Sequence, residues 1–182
     1  MRLKPTINLI VAVDSRNGIA KDNQIPWLDE PLLKPDLKRF KLITADHYCV
    51  MGRNTYYELF KMRGHQKELL PGRTSYVVAS HKYRADIIKA EPIDLYQVYN
   101  IAEFDHVFII GGVTLYAEFF PVADNIYMSK INKDYECTSF FPKSSSEILS
   151  EFDVYGQEQE NELLTFVHYK RSDARTFLRR PS

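Results

Sequence analysis

Short runs of β-forming residues alternate with stretches of helical period through the first two thirds of the chain, and that alternation leaves few folds open. The β-rich runs are Ile7 to Val13, Tyr48 to Met51, Tyr76 to Ala79, Val107 to Ile110, Ile126 to Ile131 and Leu164 to Tyr169. Pro35 to Thr44 carries Leu37, Phe40 and Ile43 at threefold spacing behind a proline suited to a first helical turn. Helical patterns also fit Thr55 to Phe60, Leu95 to Ala102 and Val113 to Phe120. Strands separated by helices pair in parallel, so the expected fold class is α/β: a central mixed, mainly parallel β-sheet flanked by helices. From Asn125 onward the pattern is strands without helices, which predicts antiparallel C-terminal edge strands. With no repeat, linker or low-complexity segment, residues 1–172 read as a single domain. Residues 173–182, with Arg175, Arg179 and Arg180, read as a solvated C-terminal tail.

Composition narrows the function classes. A chain of 182 residues, 45% hydrophobic and 26% charged, is long enough to bury about 70% of its unfolded surface around one core. Twenty-four Lys plus Arg balance twenty-four Asp plus Glu, so no net field gathers nucleic acid or an anionic membrane. No apolar run reaches the roughly 18 residues of a membrane span, and the one at Ile7 stops at Asp14, as a strand would. Cys49 and Cys137 are too few for a disulfide framework and lack metal-site spacing, which points to a reducing cytoplasm. The five histidines are scattered, and no metal is expected.

Four local units can carry chemistry. The first is strand, Gly-Gly, helix, from Val107 through Gly111 and Gly112 to Tyr116. Paired glycines allow close backbone approach, and a helix start aims unpaired N–H groups at an anion; the alternative is a purely structural turn. The second, Val50 to Tyr56, runs a strand through Gly52, Arg53 and Asn54 into Thr55, a donor set suited to phosphate, or else a surface arginine beside a helix cap. In the third, Leu70-Pro71-Gly72-Arg73 turns into the strand that ends at Ser80 and His81. Arg73 there can clamp a carboxylate or simply face water. The fourth is Ile25-Pro26-Trp27 followed by Asp36, either a pocket acid or a dipole-favoured surface acid at a helix start.

In this order and spacing, the units resemble dihydrofolate reductase over nearly the whole chain, from Ile7 to about Tyr169. The resemblance rests on Leu9 to Val13, Gly18 to Trp27, Asp36 to Thr44, Met51-Gly52-Arg53-Asn54-Thr55, Leu70-Pro71-Gly72-Arg73, Ile110-Gly111-Gly112 with Tyr116, and Phe140-Phe141-Pro142. It implies an NADPH-dependent oxidoreductase that reduces 7,8-dihydrofolate, transferring a hydride to pterin C6 with protonation at N5. Asp36, Trp27, Ser129 and Tyr116 would be its catalytic residues. Substrate would lie against Ile10, Val11, Asp36, Leu37, Phe40, Leu59, Leu70, Arg73, Ile110 and Ser129, with Ile25 beside the slot. Cofactor would lie against Ala12, Ile19, Ala20, Gly52, Arg53, Asn54, Thr55, Ser80, His81, Ile110, Gly111, Gly112, Val113, Thr114, Leu115 and Tyr116. The implied protein is a cytoplasmic monomer that serves one-carbon metabolism, binds dihydrofolate and folate analogues, and needs no nucleic acid or membrane. Residues 18–30 would act as a lid.

The sequence departs from the family pattern in several places. The stretch Leu28 to Pro35 is long, so Asp29 and Glu30 compete with Asp36 for the acid role. Between Leu59 and Leu70 the chain adds Arg63, Gly64, His65, Gln66 and Lys67. Ser129 stands where the family usually has threonine, Val113 and Thr114 replace small and basic residues, and Glu136 to Ser139 lacks the usual acid before Phe-Phe-Pro. Two other functions fit less of the pattern: a pyrimidine reductase of riboflavin synthesis on a similar fold, and a non-catalytic folate- or RNA-binding protein.

Overall fold

The computed structural model describes residues 4–63 and 65–172. The tail and Gly64 lie outside the described residues. Among the described residues, ten strands and five α-helices follow one another as β1 (Ile7–Val13), β2 (Gly18–Ala20), α1 (Lys34–Thr44), β3 (Tyr48–Gly52), α2 (Arg53–Arg63), β4 (Thr74–Val78), β5 (Glu91–Ile93), α3 (Leu95–Ile101), β6 (Val107–Ile109), α4 (Val113–Phe119), β7 (Asn125–Ile131), β8 (Ser139–Phe140), α5 (Ser145–Glu151), β9 (Phe152–Gln159) and β10 (Leu164–Arg171).

Eight strands form the main sheet in the order β5-β4-β3-β6-β1-β7-β10-β9, while β2 and β8 pair separately. From β5 to β7 every pairing is parallel, and β10 joins antiparallel to both β7 and β9. The expected architecture is therefore the observed one. Strand β1 lies mid-sheet, buried on both faces, which is why Ile7 to Val13 reads as an unbroken apolar run rather than an alternating one.

The two faces carry different cores. Leu9, Val11, Ile126 and Met128 pack with Leu115 and Phe119 of α4 and with Ile148 of α5. Ile10, Met51, Tyr56, Leu70 and Val77 pack with Phe40 and Ile43 of α1 and with Leu59 and Phe60 of α2. A third cluster places Trp27 and Leu33 against Ile131, Leu164 and Phe166.

The final third holds a helix that the strand-only expectation missed. Helix α5 is short and buries only Ile148, so its apolar period is faint. Its start is nevertheless written as a capping box: the Glu147 amide donates to Ser144 Oγ at 3.3 Å, and the Ser144 amide donates to Glu147 Oε2 at 2.8 Å.

Candidate active site

Helix α1 presents one face to strand β7. Asp36, Phe40 and Thr44 recur every four residues and therefore share a face of the helix. Asp36 lies in the first turn, where Ser129 of β7 donates its hydroxyl to Asp36 Oδ1 at 2.5 Å. Residues 127, 129 and 131 face α1, whereas 126, 128 and 130 face the other core, so the period of two along β7 aims this hydroxyl. Burial raises the Asp36 pKa above the ordinary 3.8, while the Ser129 hydroxyl and the nearby Arg39 charge work against that rise. Tyr116 of α4 is buried and donates its hydroxyl to the Ile10 carbonyl at 2.8 Å. Burial, with Asp36 as a neighbouring negative charge, keeps that phenol protonated far above neutral pH.

Position separates the three acids. Asp29 is exposed, and Glu30 faces Lys133 at 3.9 Å. Only Asp36 meets Ser129. At the far end of the α1 stripe, Arg73 Nη1 approaches Thr44 Oγ1 at 3.4 Å and its guanidinium lies 5.7 Å from the Phe40 ring. Arg73 Nε is buried without a hydrogen-bond partner among the described residues.

Between Asp36 and Arg73 the structure gathers Ile10, Phe40, Leu59, Leu70 and Ile110 in one apolar cluster. Leu37 and Ile25 belong to no cluster and stand 46% and 41% exposed. Val11 turns its side chain into the opposite core, as alternation along β1 requires. Trp27 is buried, edge-on to Tyr135 at 5.4 Å between ring centres, with Ala12 packed against the same cluster.

A second set of groups converges where β3 enters α2 and β6 enters α4. The Gly52 amide donates to the Gly111 carbonyl at 2.7 Å, tying the two turns together across the sheet. Gly111 has φ of +126°, a conformation that favours glycine, and a Cβ there would come within 3.2 Å of Thr55 Oγ1. The Gly111–Gly112 peptide is cis. Arg53 lies over the Tyr83 ring, 3.4 Å from its centre. Tyr83 belongs to a 3-10 segment, His81–Asp86, that begins after Ser80. Ser80 and His81, at the start of that segment, are exposed. Asn54, Val113 and Thr114 are exposed, Leu115 is buried in the first core, and Ile19 and Ala20 are half-buried in β2.

Asp14 is a structural residue that the sequence reading missed. Its Oδ1 accepts from the Gly18 amide at 2.7 Å and the Arg16 amide at 2.9 Å, and its Oδ2 accepts from the Tyr135 amide at 3.1 Å. Burial pushes the carboxyl up, but these three donors together with the Cys137 thiol outweigh it and its pKa falls below the ordinary value. Burial, with Asp14 alongside, pushes the Cys137 thiol up to about 12. Asp14 thereby holds β2, the start of the residue 18–30 segment, against the segment that carries β8. The available signal was an acid ending an apolar strand three residues before Asn17-Gly18, the setting of a side-chain-closed turn.

A family model for dihydrofolate reductase matches residues 6–171. The chain belongs to the dihydrofolate reductase family. It is 34% identical over 140 residues to the dihydrofolate reductase of Bacillus subtilis, covering 75% of this chain and 76% of the relative. It is 31% identical over 156 residues to that of Haemophilus influenzae, covering 85% and 91%. Its fold is similar to that of Enterococcus faecalis dihydrofolate reductase complexed with NADP(H) and RAB-propyl, with a TM-score of 0.77, 24% identity, and coverage of 95% of this chain and 100% of the other. Among the described residues, no group of three or more metal-ligating side chains converges and no helix is long and apolar enough to cross a membrane.

Proposed function

We propose that this protein reduces 7,8-dihydrofolate to 5,6,7,8-tetrahydrofolate with NADPH as hydride donor, and that Asp36 is the group that selects and orients the pterin. The observation that carries the proposal is the desolvated Asp36 carboxyl held by Ser129 at one end of an apolar slot, with Arg73 at the other. Ser129 takes one lone pair of Oδ1, which leaves the other lone pair of Oδ1 and both of Oδ2 to accept from the pterin 2-amino group and ring N3–H in a paired contact. A carboxylate in this low-dielectric position favours a cationic partner, which assists protonation of the ring. Tyr116 already spends its hydroxyl proton on the Ile10 carbonyl, so its work is to fix the strand against the cleft and not to deliver a proton. The buried Trp27 ring and the half-buried Tyr135 ring beside it close one side against water. Arg73 meets the glutamate α-carboxylate of the substrate.

The residues present fit the cofactor. The Gly111 cradle beside Thr55, which a side chain at 111 would crowd, suits the pyrophosphate. Arg53, with Ser80 and His81, suits the adenosine 2′-phosphate. When bound, NADPH supplies the hydride that pterin C6 accepts. Ala12, Ile19, Ala20 and Ile110 offer apolar or small surface for a flat ring beside the Asp36 site. The same proposal extends to a cytoplasmic monomer serving one-carbon metabolism, supported by the unpaired Cys49 and Cys137 and by the balanced charge.

The test is dihydrofolate-dependent loss of NADPH absorbance. Oxidation by the unmodified protein, strongly reduced in Asp36→Asn at neutral pH, is expected. No dihydrofolate-dependent oxidation by the unmodified protein would overturn the assignment.

A further inference from the structure

Arg39 lies three residues beyond Asp36 on α1, so the two side chains are neighbours along the helix surface. Its guanidinium lies 4.5 Å from the centre of the Phe166 ring and 6.0 Å from that of Tyr127. Phe166 of β10 stands directly opposite Ser129 of β7 in the sheet register, and Ser129 donates to Asp36. The ring that seats Arg39 and the hydroxyl that holds the acid are therefore one cross-strand pair. A cation seated on a buried ring keeps its distance from the carboxyl fixed. Arg39 makes no ion pair among the described residues, so its charge acts on Asp36 through space.

The groups around this pair come from every neighbouring element. Tyr127 of β7 and the exposed Glu158 of β9 act on Arg39 together with Asp36, Glu158 standing opposite Phe166 in the β9–β10 register. His168 of β10 stacks on Tyr127 at 4.3 Å between ring centres. Burial, with Arg39 and Lys170 as neighbouring charges, lowers the His168 pKa, so that ring is uncharged at neutral pH. Tyr116 of α4, within reach of Asp36, stays protonated. Among the described residues, the cation that acts on Asp36 is Arg39.

We propose that Arg39 is a positioning residue for the reduction: seated on Phe166, its charge limits how readily Asp36 and the pterin together take up the proton that N5 consumes. This rests on the reductase reading and adds to it the group that sets the alkaline limit of the reaction. A cation beside a carboxylate favours the ionised acid and equally opposes a cation on the ring which that acid holds, so both effects act in one direction. A purely structural role, with the Arg39 stem covering Phe166, would support the fold and leave the proton balance untouched.

The experiment compares the unmodified enzyme with Arg39→Met, which keeps an apolar contact without the charge, and Arg39→Lys, which keeps the charge. Two readouts are taken: the Asp36 titration by carbon-13 NMR in the protein alone, and the pH dependence of the single-turnover rate of NADPH oxidation with dihydrofolate, which reports chemistry and not product release. Arg39→Met is expected to raise the Asp36 pKa, and to move the alkaline fall of the rate to higher pH, by about one pH unit each, the low end for opposite charges that are near but not paired. Arg39→Lys should follow the unmodified enzyme in both. Readouts that stay put in Arg39→Met, or that move as far in Arg39→Lys as in Arg39→Met, overturn the proposal. A rate lowered equally at every pH overturns it as well. Failure of the reductase reading looks different: the unmodified protein then reduces no dihydrofolate at any pH, while the Asp36 titration still decides whether Arg39 acts on the acid.

Discussion

Replacing Ser129 by alanine removes one hydroxyl and leaves Asp36 in place, which isolates what that hydroxyl does. The hydrogen bond is 2.5 Å long, its donor residue is 3% exposed, and its acceptor is a carboxylate already raised by burial. A hydrogen bond to a charged group contributes about 1.5–3 kcal/mol, and each pKa unit corresponds to about 1.4 kcal/mol. Ser129→Ala should therefore raise the Asp36 pKa further, by about one to two units. The sign follows from which form the hydroxyl serves: it donates to the ionised carboxyl, so its loss penalises ionisation. Carbon-13 NMR titration of carboxyl-labelled aspartate, with the resonance assigned by its disappearance in Asp36→Asn, reads the shift directly. Ser129→Thr keeps the hydroxyl and should titrate close to the unmodified protein. Linkage supplies a second readout. A carboxyl whose folded pKa lies above its unfolded value favours folding while protonated, and that contribution is lost as pH rises from the unfolded pKa through the folded one. Ser129→Ala should extend this loss of stability to higher pH in denaturant titrations. A pKa that stays put or falls would refute the reasoning.

Three further substitutions probe other parts of the site. Asp36→Asn should cost about 10²-fold or more in kcat/KM at neutral pH with partial recovery in acid, where substrate is protonated beforehand. The same variant should raise thermal stability at pH 7, by about 1 kcal/mol, because a desolvated carboxylate is removed; calorimetry showing destabilisation would contradict the burial argument. Arg73→Leu should weaken dihydrofolate binding by about 30-fold, the equivalent of about 2 kcal/mol, and an unaltered affinity by fluorescence titration would reject the clamp. Gly18→Ala would set a methyl 2.7 Å from Cys137 Sγ and 2.9 Å from Asp14 Oδ1, costing about 1–3 kcal/mol where β2 meets β8. Hydrogen exchange should then quicken at the Gly18 and Thr138 amides, which bond to Asp14 and Ala20, and unchanged protection would show that the segment adapts.

What was legible in the sequence was what burial writes in a local period. The central strands β1, β3 and β6 are mostly apolar on both faces and stood out, as did the buried Ile126, Met128 and Ile131 of β7, and their alternation with helices gave the parallel sheet. Strand β9 did not stand out, because only Phe152 of its eight residues is buried and an edge strand facing solvent has no apolar alternation to display. Helix α5 failed the same test with a single buried residue, although its Ser144-to-Glu147 capping box was readable without any period. In the site, the spacing of Asp36 to Phe40 placed the acid above an apolar stripe. Asp14 was illegible for a different reason: its partners at 18 and 135 meet it only after β2 and the segment before β8 have folded together.

The charges of the site dictate one orientation for an elongated ligand. Asp36 and Thr44 are eight residues apart on one helix, or about 12 Å along its axis, and Thr44 marks where Arg73 docks. A negative group and a positive group thus sit at opposite ends of the slot lined by Phe40, Leu59 and Leu70. A molecule with a basic heterocycle at one end and an acidic tail at the other is attracted at both ends in one direction. Reversed, it brings carboxylate to Asp36 and cation to Arg73, and like-charge repulsion in a desolvated cleft opposes that direction twice. The unfavourable features of the protein alone, a buried carboxyl at one end and at the other a buried Arg73 Nε without a partner among the described residues, are therefore the same features that, on the proposed function, oppose the reversed orientation.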